Sequence, residues 1–314
     1  MQLNQSVREE NHPLLQLFIL GVSAVIGLLI FVVIGFVVCV AIYGLDLFHS
    51  MEWTTGRDLK YIGALKILVV AQQLGLFLVP AIALAIFERK KPQLFYGLNR
   101  PNFNLLAIVF LLMFCSIPLL AWINEQNMKM HLPHFLSGVE RWMRAMEDSG
   151  MVTTKAILKG TSFGALLINL LVIAVTPAIC EEFIFRGGLQ RTLLRWMKNP
   201  HVAIWTSAII FSAIHFQFFG FFPRMFLGAA FGYIYFWTGN LWYTAFAHFI
   251  NNGYAVIATW YMQKNNIPIE KADDIDIAWY GYLISAILTL ALFWILKNKT
   301  HNSKIERKIS FKDE

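Results

Sequence analysis

Between Leu14 and Leu45 the chain runs for 32 residues without an Asp, Glu, Lys or Arg. A helix crossing a hydrocarbon core needs about 20 largely apolar residues, so this stretch suits a tilted helix solvated by lipid and little else. It far exceeds the apolar core of a signal peptide and comes after the mixed-charge segment Arg8-Glu9-Glu10, so it is expected to be a retained first span. Further apolar runs separated by turn signals lie near 62–87, 104–123, 161–185, 201–219, 221–237, 240–262 and 278–297. The expected fold class is therefore all-α: a polytopic transmembrane helical bundle of about eight spans, with any polar residues gathered into an intramembrane cavity. With 57% hydrophobic and 14% charged residues, composition excludes an ordinary cytosolic enzyme and a disordered chain.

Charge orients the bundle. Lys and Arg counted on alternate sides of eight spans give 15 on the side of the N-terminus and 10 on the other, five of these in the long 124–160 connection. The positive-inside rule then places both termini in the cytoplasm, in the inner or plasma membrane if the source is bacterial. The net charge of +7 sits largely at the ends of apolar runs, so the anionic partner is membrane lipid and not nucleic acid. Six of the basic residues lie in the tail from Lys297 to Glu314, which is expected to rest against the lipid surface. Cys39, Cys115 and Cys180 lie in apolar stretches without CxxC spacing, which removes a disulfide framework and a thiolate zinc site. Phe135, Val139, Trp142, Met143 and Met146 recur at helical spacing opposite Glu140, Arg141, Arg144 and Glu147, which predicts an interfacial helix. The chain thus divides into three regions: 1–160 with the first helices and the interfacial helix, 161–262 as a core of four apolar runs, and 263–314 with the last span and the basic tail. Nothing in the sequence speaks to oligomeric state.

Ionisable side chains inside spans are costly and mark functional sites, and they concentrate in the second half. The fourth run ends in Cys180-Glu181-Glu182-Phe183-Ile184-Phe185-Arg186, the fifth contains Phe211-Ser212-Ala213-Ile214-His215, and the seventh contains His248-Phe249-Ile250-Asn251-Asn252. Glu182 and Arg186 are i,i+4 with the acid N-terminal, the favourable order for a pair. Glu181 is rotated by ~100° from Glu182 and has no partner on its own helix. Measured from the turn at Asn199-Pro200, Glu181 and His215 lie at nearly equal depth in a helical hairpin. His248 and Asn252 share one helical face. One carboxylate, two imidazoles and an amide form a workable set for hydrolysing a peptide: Glu181 takes the proton from water, His215 helps hold that water, and His248 with Asn252 faces the oxyanion. Gly228 and Gly232 form a GxxxG pattern suited to close helix contact. Gln72 and Gln73 read as ties between helices.

EEFIFR at 181–186, FSAIH at 211–215 and HFINN at 248–252 together resemble the intramembrane endopeptidases that include the CAAX prenyl proteases and the bacteriocin-processing, or Abi, proteins (the CPBP family). The resemblance covers roughly 160–260. It implies a helical core around an intramembrane cavity, with Glu181 as catalytic base, His215 its partner, His248 and Asn252 on the oxyanion side, and Glu182 with Arg186 as a structural pair. The partner it implies is a membrane-associated peptide or protein, prenylated or not. No cofactor is expected, although Glu181, His215 and His248 can also be read as a three-ligand zinc site. Against zinc stands the sourcing of the ligands from three segments, where zinc-protease motifs pair two histidines on one helix. A non-proteolytic protein, such as an immunity factor or peptide-binding scaffold, and a proton-coupled transporter are the competing readings.

Overall fold

The computed structural model describes residues 10–268 and 277–310, the last nine of these by backbone alone. Arg8, Glu9 and most side chains of the basic tail, for which a lipid contact is expected, lie outside the described residues. Every described element is helical. In chain order these are α1 (Pro13–Tyr43), α2 (Ile62–Gln73), α3 (Val79–Phe87), the short α4 (Pro92–Phe95), α5 (Phe103–Met128), α6 (Ser137–Leu158), α7 (Phe163–Asn169), α8 (Thr176–Glu182), α9 (Arg191–Met197), α10 (Pro200–Ala213), α11 (Phe221–Thr238), α12 (Leu241–Lys264) and α13 (Trp279–Ser310). π-helical turns at Leu74–Leu78, Leu170–Val175 and Phe183–Gln190 join α2 to α3 and α7 through α8 to α9 without breaking the rod.

Each of the eight apolar runs contains a helix, but among the described residues only five segments are both long and apolar enough to cross a membrane: 13–43, 59–87, 103–128, 163–197 and 279–301. The exceptions are the helices around the site. α10 has 14 residues, ~21 Å at 1.5 Å per residue, against ~30 Å of hydrocarbon. α11 holds Pro223 and Arg224, and α12 holds His248, Asn251 and Asn252.

Side-chain caps set the boundaries. Asn102, Asn199 and Asn240 accept hydrogen bonds from the first free N–H groups of α5, α10 and α12, as N-cap residues do. Proline inside an apolar helix frees a carbonyl that lipid cannot satisfy, so a neighbouring helix must. Next to Pro118 of α5, the Ser285 hydroxyl of α13 bridges the adjoining i,i+4 pair, donating to Cys115 O at 2.6 Å and accepting from Leu119 N at 3.1 Å. At Pro177 the freed group is the carbonyl of Ile173, four residues back, and Asn252 of α12 donates to it at 3.0 Å. Two of the π turns end two residues before a proline, Leu78 before Pro80 and Val175 before Pro177. A π turn is one way a rod absorbs such an interruption.

α1 packs along α2 and α3. The crossing is tight enough that a Cβ at Gly27 would stand 2.3 Å from Gly75 O, and one at Gly75 would stand 2.4 Å from Gly27 O. At the end of the bundle holding residue 10, Glu10 pairs with Arg191 and Arg195, while Glu88 accepts from Asn11 N and Gln16 Nε2. The basic end of α9 is therefore partly neutralised by the chain just before α1. Burial pulls the Glu10 carboxyl upward, but its Arg191 hydrogen bond and the charges of Arg191 and Arg195 outweigh that and hold it below the usual carboxylate range.

Candidate active site

The long rod 163–197 supplies the acids. Glu181 and Glu182 are 4% and 0% exposed, side by side, yet their hydrogen-bond donors differ. Glu182 Oε1 accepts from Arg186 Nη1 and from His248 Nδ1, each at 2.9 Å. Arg186 is itself 1% exposed. It donates to Gly228 O at 3.0 Å, with its guanidinium over the rings of Phe211 and Phe231. The expected i,i+4 pair is therefore present, and it has a third member that helix periodicity did not reveal. Small residues make this possible. A Cβ at Gly228 would meet Phe211 and Ala208 at 3.1–3.2 Å, and one at Gly232 would meet Gln190 Oε1 at 2.6 Å. The carbonyls of these two glycines accept from Arg186 and Gln190.

Glu181 faces the other way. Its Oε1 accepts from Gln73 Nε2 of α2 at 2.9 Å, and its Oε2 lies 3.9 Å from His248 Nε2. It opens onto a cavity of about 400 Å³ that His215 also lines, walled by Gln72, Gln73 and Phe77 from the second rod, 59–87, and by Met146, Ser149 and Thr153 from α6. The predicted interfacial helix is thus a wall of the cavity. Outside the cavity, Glu140 of α6 is held at about 2 by hydrogen bonds from Arg144, the Leu132 N–H and His131, which ties the start of α6 to the preceding turn.

His215 corrects the expected span of 201–219. α10 stops at Ala213, and His215 sits in the turn beyond it, with Phe216 next at a φ of 53°. The backbone N–H of His215 goes to Ser212 O, and its ring Nδ1 is 2.8 Å from the Phe211 carbonyl that a continuing helix would have used. A carbonyl only accepts, so Nδ1 carries the proton and the neutral ring keeps its lone pair on Nε2. Phe211 packs edge-on against His215, as it does against His248.

His248 is 4% exposed, stacked on Phe231 and wedged between the two glutamates. Asn252, one turn on, reaches the Ile173 carbonyl and accepts from Asn251 Nδ2 at 3.0 Å. Glu181, Glu182, Arg186, His215 and His248 are thus linked through shared contacts or one cavity, while the Asn252 amide is engaged against the rod behind them. Among the described residues no three His, Cys, Asp or Glu side chains converge as a metal set. Within the Glu181, His215 and His248 trio, His248 gives Nδ1 to Glu182 and holds Nε2 3.9 Å from the nearer Glu181 oxygen.

These features define a polytopic helical membrane protein with two adjacent buried carboxylates in unlike environments. Residues 163–254 match the family described as type II CAAX prenyl endopeptidase Rce1-like, in agreement with the resemblance carried by the three motifs. The uncharacterized protein YpbD of Bacillus subtilis (strain 168) is 31% identical over 117 residues, 36% of this chain and 54% of its own length. The chain therefore spans about half the length of that curated relative. No solved structure matches the chain. The matched segment holds every motif residue. Gln73, which touches Glu181, lies outside it; its signal in the sequence was a pair of adjacent amides in an apolar run.

Proposed function

We propose that this protein is an intramembrane endopeptidase that hydrolyses a peptide bond of a membrane-associated protein or peptide by a glutamate-activated water, without a metal. The observation that carries the reading is the division between the adjacent acids. Glu182 is consumed by Arg186 and His248, whereas Glu181 faces the cavity beside His215. The Rce1-like match over the same residues supports it.

A water in the cavity donates one proton towards Glu181 and the other towards His215 Nε2, leaving an oxygen lone pair for attack. As the new C–O bond forms, Glu181 takes the proton, and the carbonyl oxygen becomes an oxyanion. His248, with Nδ1 on Glu182, turns Nε2 towards this space and supplies the facing donor in its doubly protonated form. Collapse breaks the C–N bond, and Glu181 returns its proton to the departing amine. Asn252 acts behind the site, holding the rod that bears Glu181 by its bond to Ile173. Both termini are assigned to the cytoplasm.

The test is cleavage of fluorescence-quenched peptides, prenylated and unprenylated, by purified protein in proteoliposomes. Wild type is expected to cleave at least one, with activity kept after dialysis against a strong chelator. Glu181→Gln is expected to lose about 10²–10⁴-fold, the usual worth of a general base. Activity retained by Glu181→Gln would overturn the mechanism, and zinc-restored activity after chelation would overturn its metal-free form.

A further inference from the structure

We propose that Gln73, on the second rod and outside the family-matched segment, is a positioning residue that fixes the carboxylate of Glu181. This rests on the glutamate-based reading above. Gln73 Nε2 donates to Glu181 Oε1 at 2.9 Å, which turns Oε2 towards His248 and the reacting space. The amide is held in turn by its rod. Gly75, two residues on, is locked against Gly27 of α1, the π turn 74–78 begins directly after Gln73, and Lys66 on the same rod donates to Asn169 Oδ1 at 2.6 Å. The second rod is thus pinned to α1 and to the catalytic rod on either side of Gln73.

The other half of the amide separates this role from simple packing. Gln73 Oε1 is buried and has no hydrogen-bond partner among the described residues. A buried acceptor left unpaired is unfavourable, and a leucine of similar size would remove the penalty. The donor to Glu181 is what a leucine would forfeit. The two effects are opposite in sign and similar in size, so stability alone does not account for an amide here. A carboxylate that accepts a proton in the reaction needs one fixed orientation, because misplacement by an ångström costs about 100-fold in rate.

The experiment uses the full chain in lipid with Gln73→Leu and Gln73→Met, both of which keep the bulk and lose the N–H. On a peptide cleaved by wild type, both variants are expected to lower kcat by about 100-fold, with KM within about twofold and the melting temperature of Gln73→Leu within about 4 °C of wild type. A second readout needs no substrate. The infrared carboxylate band identified by its loss in Glu181→Gln is expected to shift in frequency in Gln73→Leu. Wild-type kcat in Gln73→Leu, a change confined to KM, or an unmoved Glu181 band would each overturn the assignment. An active Glu181→Gln would instead remove the mechanism on which it rests, so the two failures are distinguishable.

Discussion

Two long rods in this molecule show opposite ways of being a membrane helix. α1 is 31 residues with a mean hydropathy of 3.3 in its most apolar window, of which 17% is buried; the catalytic rod 163–197 is 35 residues at 2.3 and 39%. The flanks of α1 are exposed: Phe18, Leu29, Val33 and Val37 each show more than 60% of their surface. The catalytic rod instead carries Glu181, Glu182, Arg186 and Gln190, all under 5% exposed. The difference is one of solvent. A helix facing hydrocarbon is specified by composition alone, because any apolar side chain serves. A helix carrying charge must be solvated by protein, and each polar atom needs a particular partner.

The sharpest test of that contrast lies within the catalytic rod. Glu182→Gln leaves Arg186 without its counter-charge in a dry site, and breaking such a pair costs about 3–5 kcal/mol. It is expected to lower folded yield and melting temperature steeply. Glu181→Gln, which opens onto the cavity, is expected to melt close to wild type. Equal loss of folded protein from both would erase the distinction between the two acids.

A smaller effect is expected where protein replaces a missing backbone bond. Asn252→Ala leaves the Ile173 carbonyl unpaired, a cost of about 1–3 kcal/mol. In a Pro177→Ala background the restored N–H can take that carbonyl, so the same substitution should cost less there. A thermal-unfolding double-mutant cycle that came out additive would break this account.

Next comes pH. The Glu10 carboxyl is lowered in the folded state, so its stabilising effect is present above its unfolded value and is lost as pH falls through the folded one. The melting temperature of wild type should exceed that of Glu10→Gln near neutrality, and the gap should narrow as pH falls from 7 to 4. A gap that stayed constant would mean that the link from Glu10 to Arg191 and Arg195 carries no stability. Least of all should change on the lipid face of α1, where Val33→Leu is expected to stay within about 0.5 kcal/mol. A larger loss on thermal unfolding would mean that this face is covered by protein.

The sequence by itself determined the features that local geometry and solvent dictate. The five long apolar helices, the turn at Asn199-Pro200 and the Glu182–Arg186 pair were legible because hydrocarbon demands length and a helix fixes i,i+4 neighbours. The close fit of Gly228 and Gly232 was legible for the same reason. Tertiary structure alone decided who meets whom across helices: Gln73 with Glu181, His248 with Glu182, Asn252 with the carbonyl freed by Pro177, and α6 as a cavity wall. It also moved His215 out of the helix and into the turn, where its ring replaces a backbone donor. Such contacts depend on the depth and rotation of each rod, which are set by π turns at prolines and by glycine crossings between segments distant in the chain. A repeat of 3.6 residues carries no information about either.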